Sequence, residues 1–216
     1  MTPETPIADA DAVQDYVAAY LAQDEVLAAA RARGVELGCA PISLGTGAAL
    51  RFLTTALQAR AVVEVGTGTG VSGLCLLRGM APDGVLTSID VDPEYQRVAR
   101  RIFADASLPS GRTRLIMGRG LEVLPRLADG AYDLMFVGSA ITDYPRYLEE
   151  ALRLLRPGGV LVLDNMLDRE LLTDPDTRDP EAQALLEVAR AVRSDERLAP
   201  LLLPLGDGLL LAAKAP

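Results

Sequence analysis

The stretch Glu64-Val65-Gly66-Thr67-Gly68-Thr69-Gly70-Val71-Ser72 puts one acid, three glycines and three hydroxyls into nine residues. It follows a short apolar run and opens an amphipathic one. Glycines at such a turn let the backbone bend sharply and let a ligand lie against it with no Cβ between them. The helix that follows offers free N–H groups at its start. The next apolar run ends Ser88-Ile89-Asp90. An acid at that strand tip is placed to accept hydrogen bonds from both hydroxyls of a ribose, although it could also cap the helix beginning near Pro93. Loop and acid together point to a nucleoside ligand. A dinucleotide site has the spacing Gly-x-Gly-x-x-Gly. Counted from Gly66, its last glycine would fall on Val71, so the spacing here is Gly-x-Gly-x-Gly and argues against an NAD-dependent oxidoreductase.

Two absences limit the chemistry. The chain has no histidine, and its single lysine is Lys214, near the C-terminus. Every other basic residue is arginine, which stays protonated in proteins. A histidine base, a Ser-His triad and a mid-chain lysine base are therefore excluded. The two cysteines, Cys39 and Cys75, lie far apart in no metal-binding spacing and read as reduced, buried thiols.

The elements that must position these residues follow from periodicity. Residues 9 to 38 read as helix, with Val13, Val17, Tyr20 and Leu21 spaced for one face and then Val26, Leu27 and the alanines for a second helix, and Gly45 to Ala59 as another with Leu50, Leu53 and Leu57 on one side. Short apolar runs then alternate with amphipathic stretches. The runs Ala61–Val65, Val85–Ile89, Thr113–Met117, Leu134–Val137 and Val160–Leu163 read as strands of a parallel sheet covered on both faces. Helices are expected over Val71–Met80, Pro93–Ala106, Gly120–Ala128 and Pro145–Leu155. This alternation predicts an α/β doubly wound sheet. A helix from Glu181 to Arg193 leads to Leu201–Leu205 and Leu209–Ala213, joined through Gly206-Asp207-Gly208 as a hairpin, so the sheet should finish antiparallel. Asp168–Pro180, with Pro175 and Pro180, reads as a mobile loop.

The 216 residues are 50% hydrophobic and 24% charged, enough for one sizeable core, with the first sixty residues as a helical cap on the same domain. The net charge of -9 and the scattered arginines speak against a nucleic-acid partner. The N-terminus has no signal-peptide pattern, and no apolar run approaches the ~20 residues of a membrane span. A cytoplasmic protein with no membrane partner is expected.

The Gly-x-Gly-x-Gly loop with its preceding acid, a turn at Arg156-Pro157-Gly158-Gly159 before the fifth strand, and the terminal antiparallel strand together resemble class I S-adenosylmethionine methyltransferases. Glu64–Ser72, Ile89–Pro93, Tyr132–Val137, Tyr144–Tyr147, Arg156–Asn165 and Gly206–Lys214 narrow the resemblance to the small bacterial O-methyltransferases related to the catechol and caffeoyl-CoA enzymes, actinobacterial members above all. It covers residues 25 to 214. It implies a Rossmann-like seven-stranded sheet, S-adenosylmethionine as cofactor, a small-molecule acceptor methylated on a hydroxyl, and a homodimer formed through the helical N-terminus. By position it implies that Glu64, Gly66, Thr67 and Ser72 hold the methionine part and that Asp90 takes the ribose. Gly118 would border the adenine, and Gly68 and Gly138 would complete the cofactor wall. Ile42 would close over the cofactor, or simply pack in the core.

The chain departs from that family at the reacting end. There a divalent metal is held by an Asp after the fourth strand and an Asp-Asn pair after the fifth, and a lysine helps deprotonate the acceptor. Asp164-Asn165 matches the pair. The family's Val-Asp-Ala-Asp-Lys is here Val137-Gly138-Ser139-Ala140-Ile141, ungapped because Tyr144 and Tyr147 fall on family tyrosines. Gly138 replaces the metal Asp and Ile141 the lysine. One carboxylate and one amide make a poor site for Mg²⁺, which wants hard oxygen ligands in near-octahedral geometry. Asp143, Asp164 and Tyr144 remain as candidates for acceptor activation. Each also has a structural reading, Asp164 as a loop cap and the other two as the start of a helix. A protein that binds the cofactor without catalysing is the alternative.

Overall fold

The computed structural model of the chain describes residue 16 and residues 19–21, 23–167 and 178–216. The apolar runs form strands: β1 (Ala61–Val65), β2 (Val85–Asp90), β3 (Thr113–Met117), β4 (Tyr132–Val137), β5 (Leu155–Leu163), β6 (Leu198–Leu203) and β7 (Leu209–Lys214). Between them run α1 (Glu25–Glu36), α2 (Leu44–Ala56), α3 (Val71–Gly79), α4 (Pro93–Asp105), α5 (Gly120–Val123), α6 (Tyr144–Leu154) and α7 (Pro180–Ser194). The sheet order is β3-β2-β1-β4-β5-β7-β6. β7 is antiparallel to both its neighbours, and the other pairs are parallel. Strand order reverses between β1 and β4, the place where a doubly wound sheet opens a crevice.

Side chains alternate across each strand, and the alternation divides the core in two. Val63, Val65, Met135, Val137 and Leu163 face α6 and α7. Val62, Leu86, Leu134, Phe136 and Val162 face α1 to α4. Helix starts are set by side-chain caps. The Asp24 carboxylate accepts from Leu27 N, Ser43 Oγ from Thr46 N, Asp92 from Glu94 N and Tyr95 N, and Asp179 from Glu181 N and Ala182 N. The lone lysine closes the other end of α6: Lys214 Nζ donates to the carbonyls of Leu152 and Leu155, both at 2.7 Å.

Several expectations are revised. The helix expected over Gly120–Ala128 is α5 followed by a 3-10 turn, Leu124–Arg126, because Pro125 has no N–H to continue an α-helix. The turn expected at Arg156–Gly159 is part of β5, whose pairing with β4 shifts register between Tyr132 and Leu134. β3 is an edge strand and is not covered on both faces, with Met117 56% exposed. Of the two N-terminal helices, the second is α1, residues 25–36, and most of the first lies outside the described residues. Most of the expected loop Asp168–Pro180 lies outside them too, residues 168–177, and Pro180 begins α7. Among the described residues no helix is long and apolar enough to cross a membrane.

The tightest helix contact lies between α2 and α3. The buried Thr54 hydroxyl is 3.0 Å from Leu50 O in its own helix and 3.2 Å from Leu76 O in the other. A Cβ on Gly79 would overlap that hydroxyl and the Arg51 carbonyl oxygen. Overpacking of this kind costs about 1–3 kcal/mol or more. Gly79→Ala is therefore expected to lower the melting temperature by several degrees in thermal denaturation, whereas Gly111→Ala, with nothing near its Cβ position, should leave it nearly unchanged.

Candidate functional site

Four loops leave the sheet at one level, each zipped to a neighbouring strand by its first N–H. Gly66 N donates to Ile89 O at 2.9 Å, Gly118 N to Asp90 O at 2.9 Å, Gly138 N to Val65 O at 3.0 Å and Asp164 N to Val137 O at 3.0 Å. Above this edge lies a cavity of about 420 Å³, a usual size for a small-molecule site. Gly66 has φ 97°, and a Cβ there would stand 2.8 Å from Ser139 Oγ across the cavity. Only glycine keeps this passage open.

The structure brings most of the expected binding residues together. Ile42, Gly66, Thr67, Gly68, Ser72, Asp90, Gly118 and Gly138 all line the cavity, as does Asp143. Asp90 is held by backbone: Oδ2 accepts from Gly68 N at 2.9 Å and Oδ1 from Asp92 N at 3.0 Å. The cap of α4 is Asp92, so Asp90 is not the helix cap and presents its carboxylate to the cavity.

Glu64 lies beneath the loop and is fully buried. Its Oε2 accepts from the Ser88 hydroxyl at 2.5 Å, and Ser88 lies 2.7 Å from the Thr67 hydroxyl. Oε1 has no hydrogen-bond partner. Burial pushes the carboxyl up to about 7; the Ser72 and Ser88 hydroxyls draw it partly back, and the Asp90 charge raises it further.

The expected reacting residues divide. The Asp143 side chain is 23% exposed, with the Arg146 guanidinium 3.9 Å away. Tyr144 does not line the cavity. Its buried hydroxyl donates to Asp164 O at 3.0 Å, tying the tips of β4 and β5 together, and burial lifts it far above the usual phenol range. Asp164 is also buried, and its carboxyl is pushed up to about 6 by burial, lowered by the Asn165 N–H and raised by Asp207. Asn165 follows with φ 59°, and neither Asp164 nor Asn165 lines the cavity. Gly138 offers no side chain, and its Cβ position is 3.1 Å from the Phe136 ring. Among the described residues no group of three or more acids, cysteines or histidines could hold a metal.

Sequence reasoning missed most of the wall supplied by the segment between α1 and α2. Cys39, Ala40 and Pro41 line the cavity beside Ile42. The Arg31 guanidinium holds the Ile42 carbonyl, and the Thr69 hydroxyl donates to Ala30 O at 2.8 Å, so helix and glycine loop are bonded to each other. Burial raises the Cys39 thiol, the Thr69 N–H lowers it, and the Asp90 and Asp92 charges raise it. Tyr147 also lines the cavity, and its hydroxyl lies 2.6 Å from where a Cβ on Gly120 would be. It lies one helical turn after Tyr144, and nothing in the sequence separates the two.

Comparison with known proteins agrees with this geometry. A family model described as O-methyltransferase matches residues 18–215. A Mycolicibacterium vanbaalenii protein bearing the name of an O-methyltransferase is 48% identical over 212 residues, covering 98% of this chain and 94% of that one. A solved structure from Corynebacterium glutamicum superposes with a TM-score of 0.89 at 31% identity, covering 95% of this chain and 97% of that one. The O-methyltransferase TomG of Streptomyces achromogenes, solved in complex with SAM, gives a TM-score of 0.86 at 28% identity, covering 95% and 96%.

The buried acid carries a prediction. Folding raises the Glu64 carboxyl above its ordinary value, so its contribution to stability is present at low pH and is lost as pH rises through about 7. Glutamine cannot ionise. Glu64→Gln should raise the melting temperature of the ligand-free protein at pH 8, with the gain shrinking steadily toward pH 5. A gain independent of pH would mean the carboxyl carries no extra proton in the folded chain.

Proposed function

The chain belongs to the O-methyltransferase family, and on that premise we propose that it binds S-adenosylmethionine in this cavity and methylates a small-molecule hydroxyl without a divalent metal. The observation that carries the reading is the cavity at the strand-order reversal, with a three-glycine loop on one side and the backbone-held Asp90 on the other. The Streptomyces relative solved with SAM supports it.

When bound, the cofactor supplies an electrophilic methyl group on a sulfonium. Asp90 takes the ribose hydroxyls, since its oxygens are fixed by N–H donors yet line the cavity. Gly118 borders the adenine. Gly66, Thr67 and Ser72, with Glu64 behind them, receive the amino-acid end, and Gly68, Gly138 and Ile42 close the wall. An unpartnered, buried carboxylate oxygen beneath the loop suits a ligand that brings positive charge.

The donor set does not fit Mg²⁺. Asp164 is buried with a raised carboxyl, Asn165 is its one neighbouring amide, and Gly138 and Ile141 bring nothing. Lys214 is engaged in capping α6. Asp143 is the carboxylate positioned on the cavity wall to take the acceptor proton. A carboxylate is a weak base for an ordinary hydroxyl, so the reading favours an acidic acceptor held in line with the methyl group. A silent binding protein on the same fold is the second reading, favoured by Gly138 and Ile141 themselves.

The test is calorimetric titration of S-adenosylhomocysteine in EDTA and then in Mg²⁺. Binding is expected to be the same in both, and Asp90→Ala should weaken it roughly 10- to 100-fold, the worth of hydrogen bonds to a charged group. No binding in either buffer overturns the cofactor assignment; binding that needs Mg²⁺ overturns the metal-free part. Turnover with any acceptor would eliminate the silent reading. The double variant Gly138→Asp with Ile141→Lys is expected to gain Mg²⁺-dependent methylation of catechol, at reduced stability because the Phe136 ring must yield to the new Cβ.

A further inference from the structure

Glu64 is a fully buried acid that the family role leaves half explained. Ser88 donates to Oε2, and the Ser88 hydrogen is thereby used, so Thr67 is the donor in the Thr67–Ser88 contact. Thr67 lines the cavity, so a three-member chain runs from the ligand wall to the carboxylate. Ser72, on the first turn of α3, lines the same cavity and its hydroxyl is near enough to the carboxylate to lower its pKa, without completing a hydrogen bond to Oε1. Oε1 is left with no donor. A Cβ on Gly73 would lie 3.2 Å from Oε2 and 2.8 Å from the Phe103 ring, so the packing around the acid is close.

Among the described residues no compensating cation is in contact with it. From β2 comes Asp90, which raises the acid further, and from α3 comes Cys75. Arg31, Arg51 and Arg78 act on the Cys75 thiol. α4 presents Phe103, and β4 places Phe136 beside Glu64 in the sheet. An ionised carboxylate in such a place lacks both water and a partner, which favours the protonated form.

We infer that ligand binding is proton-linked through Glu64: the free protein holds this carboxyl protonated, and one proton passes to solvent as a cationic amino-acid end seats beside Ser72. The inference rests on the cofactor reading above and adds to it a means of selecting ligands by charge. No covalent bond changes. The proton leaves Oε1 for buffer, and the ligand ammonium becomes the counter-charge that the protein does not provide. A ligand with the same nucleoside and no ammonium leaves the proton in place.

The test compares S-adenosylhomocysteine with 5′-methylthioadenosine, which lacks the amino-acid end, by calorimetry on the full chain in two buffers of different ionisation enthalpy. At pH 6 about one proton should be released per S-adenosylhomocysteine and close to none per methylthioadenosine. Affinity for S-adenosylhomocysteine should tighten roughly tenfold between pH 6 and pH 8, and affinity for methylthioadenosine should stay level. Glu64→Gln should abolish both the proton release and the pH dependence. If that variant does not fold, the two-ligand comparison on the native chain decides alone. Binding of S-adenosylhomocysteine with no proton release and a flat pH profile overturns the linkage and leaves the cofactor assignment standing. Failure to bind at every pH overturns the assignment and the linkage with it.

Discussion

Everything that can bind a ligand hangs on one edge, where the parallel ladder runs out. A parallel ladder normally ends raggedly, because each strand's last N–H and C=O have no fixed partner. Here β1, β3, β4 and β5 each pass one further N–H, from Gly66, Gly118, Gly138 and Asp164, to a neighbouring strand before the chain turns away. The loops therefore depart from a common rim. Left-handed backbone at Gly66, Gly68 and Gly70 folds the first of them back over α3. Ala140 and Asn165, at φ 57° and 59°, adopt the same conformation without being glycine. Such residues cost of order 1–3 kcal/mol and persist where surrounding structure over-determines them. In this chain the Tyr144 hydroxyl, bonded to Asp164 O, holds the two loops that contain them.

Fold and rim were legible because both rest on local rules. Runs of five apolar residues, glycines at alternate positions and an acid at a strand tip carry their geometry with them. Less was legible where the deciding contact is between distant residues. Ile42 could be named, but Cys39, Ala40 and Pro41 could not. Their place over the cavity depends on the Thr69–Ala30 bond and on Gly34, whose Cβ would meet Cys39 O at 2.8 Å. No period in the sequence encodes that crossing. Of two tyrosines one helical turn apart, both buried, the sequence could not tell that Tyr147 faces the cavity and Tyr144 the backbone. Asp90 and Asp92 pose the same difficulty two residues apart, and only the direction of their carboxylates separates the ligand-facing acid from the helix cap. At Arg156–Gly159 the proline and glycines suggested a turn, and a register shift absorbed them into β5 instead.

The distribution of charge bears on the reaction. Several of the described cations are engaged in structure. Arg112 donates to the carbonyls of Leu77, Ala81 and Gly84 around the end of α3, Arg153 to those of Leu124 and Leu127, and Lys214 to those closing α6. The acids on and behind the cavity wall are differently placed. Glu64 and Asp164 are buried with raised carboxyls, and Asp90 and Asp143 line the wall. Arg119 lines it too, but is exposed, so water and salt screen its charge.

A site so arranged disfavours a preformed anion as acceptor, because like charges within a low-dielectric wall repel strongly. On the methyl-transfer reading, then, the acceptor enters neutral and loses its proton during transfer. A sulfonium becomes a neutral thioether as the acceptor's proton departs to a base on the wall. What the family does with a cation and a lysine, this chain would have to do with position and with an acceptor acidic enough for a carboxylate such as Asp143 to serve as its base.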